Sequence, residues 1–124
     1  MVEVSREEFE QWARWEYRKI PREFRQKLHN VTIVVEDEPG EEAGRHRKKT
    51  LLGLYVGAPR TSQSVFDPMP YPAHIYLYQL NIQRICRTRT EVRRQIRETL
   101  LHEIGHHFGM TEAQLQEIEQ GWYR

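Results

Sequence analysis

Residues 101–112, Leu-His-Glu-Ile-Gly-His-His-Phe-Gly-Met-Thr-Glu, constrain this chain more than any other stretch. On a helix, His102 and His106 stand one turn apart on one face, so both imidazoles can reach a single metal ion. Glu103 follows the first histidine, where its carboxylate can hold a water molecule without ligating the metal. Gly109 suits the position just past a helix end. The turn it permits can swing Glu112 back as a third ligand. Two histidines, one carboxylate and an open fourth position describe a catalytic zinc site rather than a closed structural one.

The residues upstream supply the helix. Val92, Ile96, Leu100, Ile104 and Phe108 form an i+4 stripe that ends in the motif. The stripe centres opposite His102 and His106, so the helix can bury one face and offer the other to a metal. His107 points about 100° round from His106, toward the buried side, and is expected to be a hydrogen-bonded packing residue. Glu112 has a second explanation, because the macrodipole favours an acid in the first turn of a following helix. The two roles are compatible.

The pattern His102-Glu103-x-x-His106-x-x-Gly109-x-x-Glu112 resembles the zincin metallopeptidases, with the compact ligand spacing of the metzincin branch. Leu51-Leu52-Gly53-Leu54-Tyr55, followed by His-Glu-Ile-x-His-His-Phe-Gly-Met, is similar to a family of small bacterial proteins, the minimal zincins. This resemblance spans residues 9–115. It implies Zn2+ held by His102, His106 and Glu112, and peptide-bond hydrolysis by a zinc-activated water with Glu103 as general base. The ligating imidazoles must be neutral, so activity is expected to fall below about pH 6. Metzincins usually carry His or Asp where this chain has Glu112. They also carry a methionine-containing turn under the metal. No methionine follows Glu112 here, and Met110 lies inside the ligand loop. A zinc-binding protein without turnover is therefore the second reading.

In chain order, Ser5-Arg6-Glu7-Glu8 is a capping box that opens a helix over 6–19, with Phe9, Trp12, Ala13 and Tyr17 as its core face. Arg14, Arg18, Arg22 and Arg25 form a solvated face. Pro21 suits the first position of a short second helix carrying Phe24 and Leu28. Residues 31–35 are a β-branched run, apolar on both faces, and predict a central strand. Residues 36–50 swing from acidic to basic without periodicity and predict a mobile loop, in which His46 is no ligand. Residues 51–56 predict a second strand and 74–78 a third, separated by a proline-rich loop over 59–72. Leu80, Ile82, Ile85 and Cys86 suggest a short helical connection. Thr90 is expected to cap the long helix over 91–108. Thr111 and Gln114 form another capping box, opening a last helix with Leu115, Ile118 and Trp122.

This order gives an α+β domain, a small sheet of about three strands packed on the motif helix, with further helices at both ends. The strand over 51–56 is the expected edge of the cleft, antiparallel to its neighbours, with Gly53, Leu54 and Tyr55 meeting an extended substrate through their backbones. A proline at Leu54 should then remove one docking donor. Gly53 has an alternative role as a tight contact within the sheet. The loop over 59–72 would form a wall of the cleft. Tyr71, Tyr76, Tyr78 and His74 are candidates for the oxyanion donor, and His29 and His74 are otherwise surface residues.

At 124 residues, the chain predicts a single domain over 1–124. A net charge of +1 gives no general attraction to nucleic acid or to a membrane. The acidic first residues lack a signal-peptide pattern, and the lone Cys86 supplies no disulfide framework, which together predict a cytoplasmic protein. The expected partner is a peptide or protein substrate. A third reading, a nucleic-acid module built on Arg84, Arg87, Arg89, Arg93, Arg94 and Arg97, is weakened by Glu91 and Glu98 interrupting the run.

Overall fold

The computed structural model describes residues 1–26, 28, 30–57 and 72–122. His29, Tyr71 and the proline-rich loop from Pro59 through Tyr71 lie outside these residues, as do the side chains of His46, Ile118 and Trp122. The elements follow the order α1 (Arg6–Arg18), α2 (Arg22–Arg25), β1 (Val31–Glu36), a 3₁₀ turn (Glu41–His46), β2 (Gly53–Val56), β3 (Ala73–Tyr78), α3 (Gln79–Arg84), α4 (Arg89–Phe108) and α5 (Glu112–Trp122). Among the described residues the result is a small α+β fold with a three-stranded mixed sheet and one long helix.

The strand order is β1-β3-β2, with β1 parallel and β2 antiparallel to β3. β2 is thus the expected antiparallel edge. β1 is an edge as well, although its composition predicts a central strand. A β-branched run reports preference for a pleated surface, not position within a sheet. The central place goes to β3, whose Ala73, Ile75, Leu77 and Tyr78 are all buried.

One face of the sheet packs on α1 and α4. Phe9, Ala13, Leu77, Ile82, Val92 and Ile96 form one part of the core; Ile20, Leu28, Ile75, Leu100 and Ile104 form the other. The i+4 stripe of α4 is therefore the helix's buried face, and Cys86 is buried beside it. Outside the sheet, the segment expected to be a mobile loop contains the 3₁₀ turn. Glu42 anchors it by accepting hydrogen bonds from Gly40 N–H at 2.6 Å and from the Tyr78 hydroxyl at 3.2 Å.

Local caps set most helix boundaries. Ser5 Oγ accepts from Glu8 N–H at 3.1 Å, and Thr111 and Gln114 bond reciprocally at 3.2 and 2.9 Å. The cap of α4 is Thr88 rather than Thr90: Thr88 Oγ1 accepts from Glu91 N–H at 3.1 Å, starting the helix two residues earlier. Pro21 sits at the cap position of α2, and Leu28 is buried beyond that short helix.

The arginine run is largely engaged within the fold. Arg97 reaches Glu16, Arg89 pairs with Glu8, Arg84 lies 3.5 Å from Glu38, and Arg89 and Arg93 lie over Trp12. No helix among the described residues is long and apolar enough to cross a membrane.

Candidate active site

The site is built where α4 ends. Gly109 closes the helix in the left-handed conformation (φ 65°, ψ 32°), which a glycine adopts without a Cβ penalty. Met110 N–H then bonds to Gly105 C=O at 2.9 Å, and the chain reverses into α5. This brings Glu112, at the first position of α5, back to α4. Its Oε1 lies 3.3 Å from His102 Nε2.

Gly105, inside the motif, makes this return possible, although in sequence nothing but its place between the two histidines marks it. A Cβ at Gly105 would lie 2.3 Å from Leu115 Cδ2 and 2.9 Å from Leu115 Cγ, so α5 rests where that side chain would be. Alanine at this position is favoured by helix propensity by about 1 kcal/mol. The overlap is with the Leu115 side chain alone, but that side chain is buried and can yield only by repacking, so the overlap is expected to outweigh the gain. Gly105→Ala is expected to lower stability by about 1–3 kcal/mol, read by urea unfolding, and to cost little or nothing in a Leu115→Ala background, where the overlapping atoms are gone. A Gly105→Ala protein as stable as wild type would show that α5 is not docked through this contact.

His102 and His106 lie on one face with ring centroids 5.1 Å apart. Both are substantially exposed. Between them Glu103 is held under the surface, its side chain only 9 % exposed. Burial pushes the Glu103 carboxyl above its ordinary range, opposed in part by the neighbouring His106 and His102 and by a hydrogen bond from Tyr55 N–H. Glu103 Oε2 is buried and forms no well-aligned hydrogen bond among the described residues, although His106 Nδ1 stands 3.1 Å away. His107 faces the other way, as expected. It is buried, and its Nδ1 shares a 2.9 Å hydrogen bond with the Tyr55 hydroxyl, fixing α4 against β2.

A groove of about 500 Å³ runs past these residues between α4 and the chain entering β2, lined by Leu51, Leu52 and Gly53 on one side and Gln95, Thr99, His102, Glu103 and His106 on the other. Gly53 is buried. A Cβ there would lie 2.6 Å from Thr99 Cγ2 and 2.9 Å from Tyr76 C=O, so its first role is the tight contact that seats β2 on α4. Tyr78 N–H bonds to Leu52 C=O, and the β2–β3 register then turns the backbone groups of Leu54 toward β3 and those of Gly53 and Tyr55 toward the cleft. A proline at Leu54 would therefore break the sheet rather than a docking edge. Of the three expected edge residues, Gly53 lines the groove and Tyr55 reaches Glu103 through its N–H, while Leu54 belongs to the ladder. Tyr76, Tyr78 and His74 stand in a row on the outer face of the sheet and do not line the groove.

Among the described residues, no three of His, Cys, Asp and Glu close around one metal position. The donors present nonetheless fit a divalent metal in kind. Two imidazoles one turn apart stand with a carboxylate at 3.3 Å from one of them, beside a buried carboxylate oxygen suited to accept a hydrogen bond from water.

A comparison with curated protein sequences returned no match. Residues 28–122, from the end of the helical N-terminal region through β1, the site helix and α5, match a family described as zincin-like metallopeptidase. That match covers most of the chain and includes every residue of the groove, so the chain belongs to the zincin-like metallopeptidase family.

Proposed function

We propose that this protein is a zinc-dependent peptidase that cleaves within extended peptide chains, working in a cytoplasmic setting consistent with its single, buried cysteine. The observation that carries this reading is Glu103: a buried carboxylate between two exposed imidazoles, at the floor of a groove bordered by a strand edge. His102, His106 and Glu112 would hold the metal. Zinc, when bound, supplies Lewis acidity that polarises a carbonyl and makes water more acidic.

The remaining chemistry belongs to the chain. Glu103, its proton affinity raised by burial, accepts the proton of the attacking water and delivers it to the leaving amine. Tyr55 N–H fixes the carboxylate while it does so. The cleft-facing backbone of Gly53 offers an extended peptide a place to add as a further strand, which predicts broad sequence tolerance and weak affinity.

Metal analysis tests the ligand set. Wild type is expected to hold one zinc per chain, and His102→Ala, His106→Ala and Glu112→Ala should each lose it at least in part. Full affinity in Glu112→Ala would reduce that residue to a charge at a helix start. Zinc binding without cleavage of any member of a broad peptide library would favour the second reading, a metal-binding protein without turnover.

A further inference from the structure

Opposite the cleft, β1 is the other edge of the sheet among the described residues, and its outward backbone groups are self-complementary. Ala73 N–H bonds to Asn30 C=O, so the parallel register directs the backbone groups of even-numbered β1 residues to β3 and those of Val31, Ile33 and Val35 outward. Two of the outward groups are occupied: Val31 N–H bonds to Leu28 C=O at 3.3 Å, and Val35 C=O accepts from Arg6 at 2.9 Å. The Val31 C=O, both groups of Ile33 and the Val35 N–H have no hydrogen-bond partner among the described residues. A groove of about 550 Å³ lies along this edge, lined by residues 31–35 and, from α1, by Glu10, Arg14 and Tyr17. Apart from Arg6 at one end, the edge is lightly guarded: Val-Thr-Ile-Val-Val-Glu contains no proline, lysine or bulge.

We propose that this edge pairs with the same edge of a second copy of the chain, antiparallel about a two-fold axis through Ile33. Each Ile33 N–H then donates to the Ile33 C=O of the second copy, and each Val35 N–H to the second copy's Val31 C=O. The two ends already closed by Leu28 and Arg6 are the two that this register leaves unused, so every open backbone group is satisfied and none is duplicated. Side chains agree with the register. Val31 faces Val35, Thr32 faces Val34, and Glu36 meets no acid.

Charge complementarity selects a second copy over an unrelated peptide. α1 runs antiparallel to β1: Arg6 sits at Val35, while Tyr17 and Ile20 pack near Val31. Glu10 therefore lies toward the Val35 end and Arg14 toward the Val31 end of the groove. The two-fold axis exchanges those ends and sets Glu10 of each copy beside Arg14 of the other, making two ion pairs from one surface. The product is a six-stranded sheet with both β2 edges, and both clefts, at its outer margins.

Sedimentation equilibrium on the full chain tests this. Wild type is expected to be a dimer in the micromolar to sub-millimolar range. Arg14→Glu opposes acid to acid and should raise the dissociation constant roughly tenfold or more, while Glu10→Arg with Arg14→Glu should restore it. Ile33→Pro removes an outward N–H and none from the β3 ladder, so it should be monomeric with native circular dichroism. Because Arg14 is exposed on a helix, its variants keep the test valid if the proline variant fails to fold. A monomeric wild type, or a dimer unmoved by the charge reversal, would overturn the proposal.

Discussion

Glu103→Gln is expected to keep zinc at wild-type stoichiometry and to lose peptide hydrolysis by roughly 10²- to 10⁴-fold. Gln is isosteric with Glu, and its carbonyl can still accept the hydrogen bond that Tyr55 N–H gives the native carboxylate. It cannot take up a proton. Burial raises the proton affinity of the native carboxyl, and the capacity to take up a proton is what the substitution removes. Metal analysis and a peptide-library assay on the same two preparations separate the possibilities. Loss of zinc in the variant would make Glu103 a ligand or a structural support rather than a base. Equal cleavage by both proteins would assign the activity to a contaminant.

Arg97→Ala is expected to lower stability by about 3 kcal/mol, a large share of what holds a domain of this size. Glu16 on α1 is fully buried, and its Oε2 is 2.9 Å from Arg97 Nε on α4. The pair pins α1 to α4 beside the core. Among the described residues its other ion-pair partner is Lys19, 3.6 Å from Oε1 and partly exposed, which cannot replace a buried guanidinium. Removing Arg97 leaves an anion inside the protein with little compensation, and that desolvation cost dominates. Lys19→Ala should cost less than about 1 kcal/mol, as partly exposed ion pairs do. Replacing Glu16 and Arg97 together by Met should recover most of the loss, because the pair's own net contribution is small. Urea unfolding of the four proteins decides the matter. A loss under about 1 kcal/mol for Arg97→Ala would mean that Glu16 is neutralised in another way.

Neither α1 nor α4 advertises that contact. Glu16 interrupts an apolar stripe with a residue type that is usually solvated, and Arg97 sits within an arginine run. Only the crossing of the two helices brings them together. Gly105 is similar: in sequence it is a spacer between the two histidines, and its meaning comes from Leu115 of another helix resting on it.

What the sequence determined by itself was local. The i+4 stripe of α4, the hydrogen-bonding caps at Ser5 and Thr111, the left-handed Gly109 and the inward turn of His107 depend on residues within a turn or two of each other, where propensity and periodicity act directly. The placing of His102 and His106 on one helical face is legible for the same reason. Tertiary structure decided whatever depends on which element lies beside which. It put β3, not β1, at the centre of the sheet; it turned Gly53 and Tyr55, but not Leu54, toward the cleft; and it buried Glu103 under β2. Strand order and edge direction follow from long-range pairing and from the packing of β2 on α4, and a β-branched run carries the same composition at an edge as at a centre.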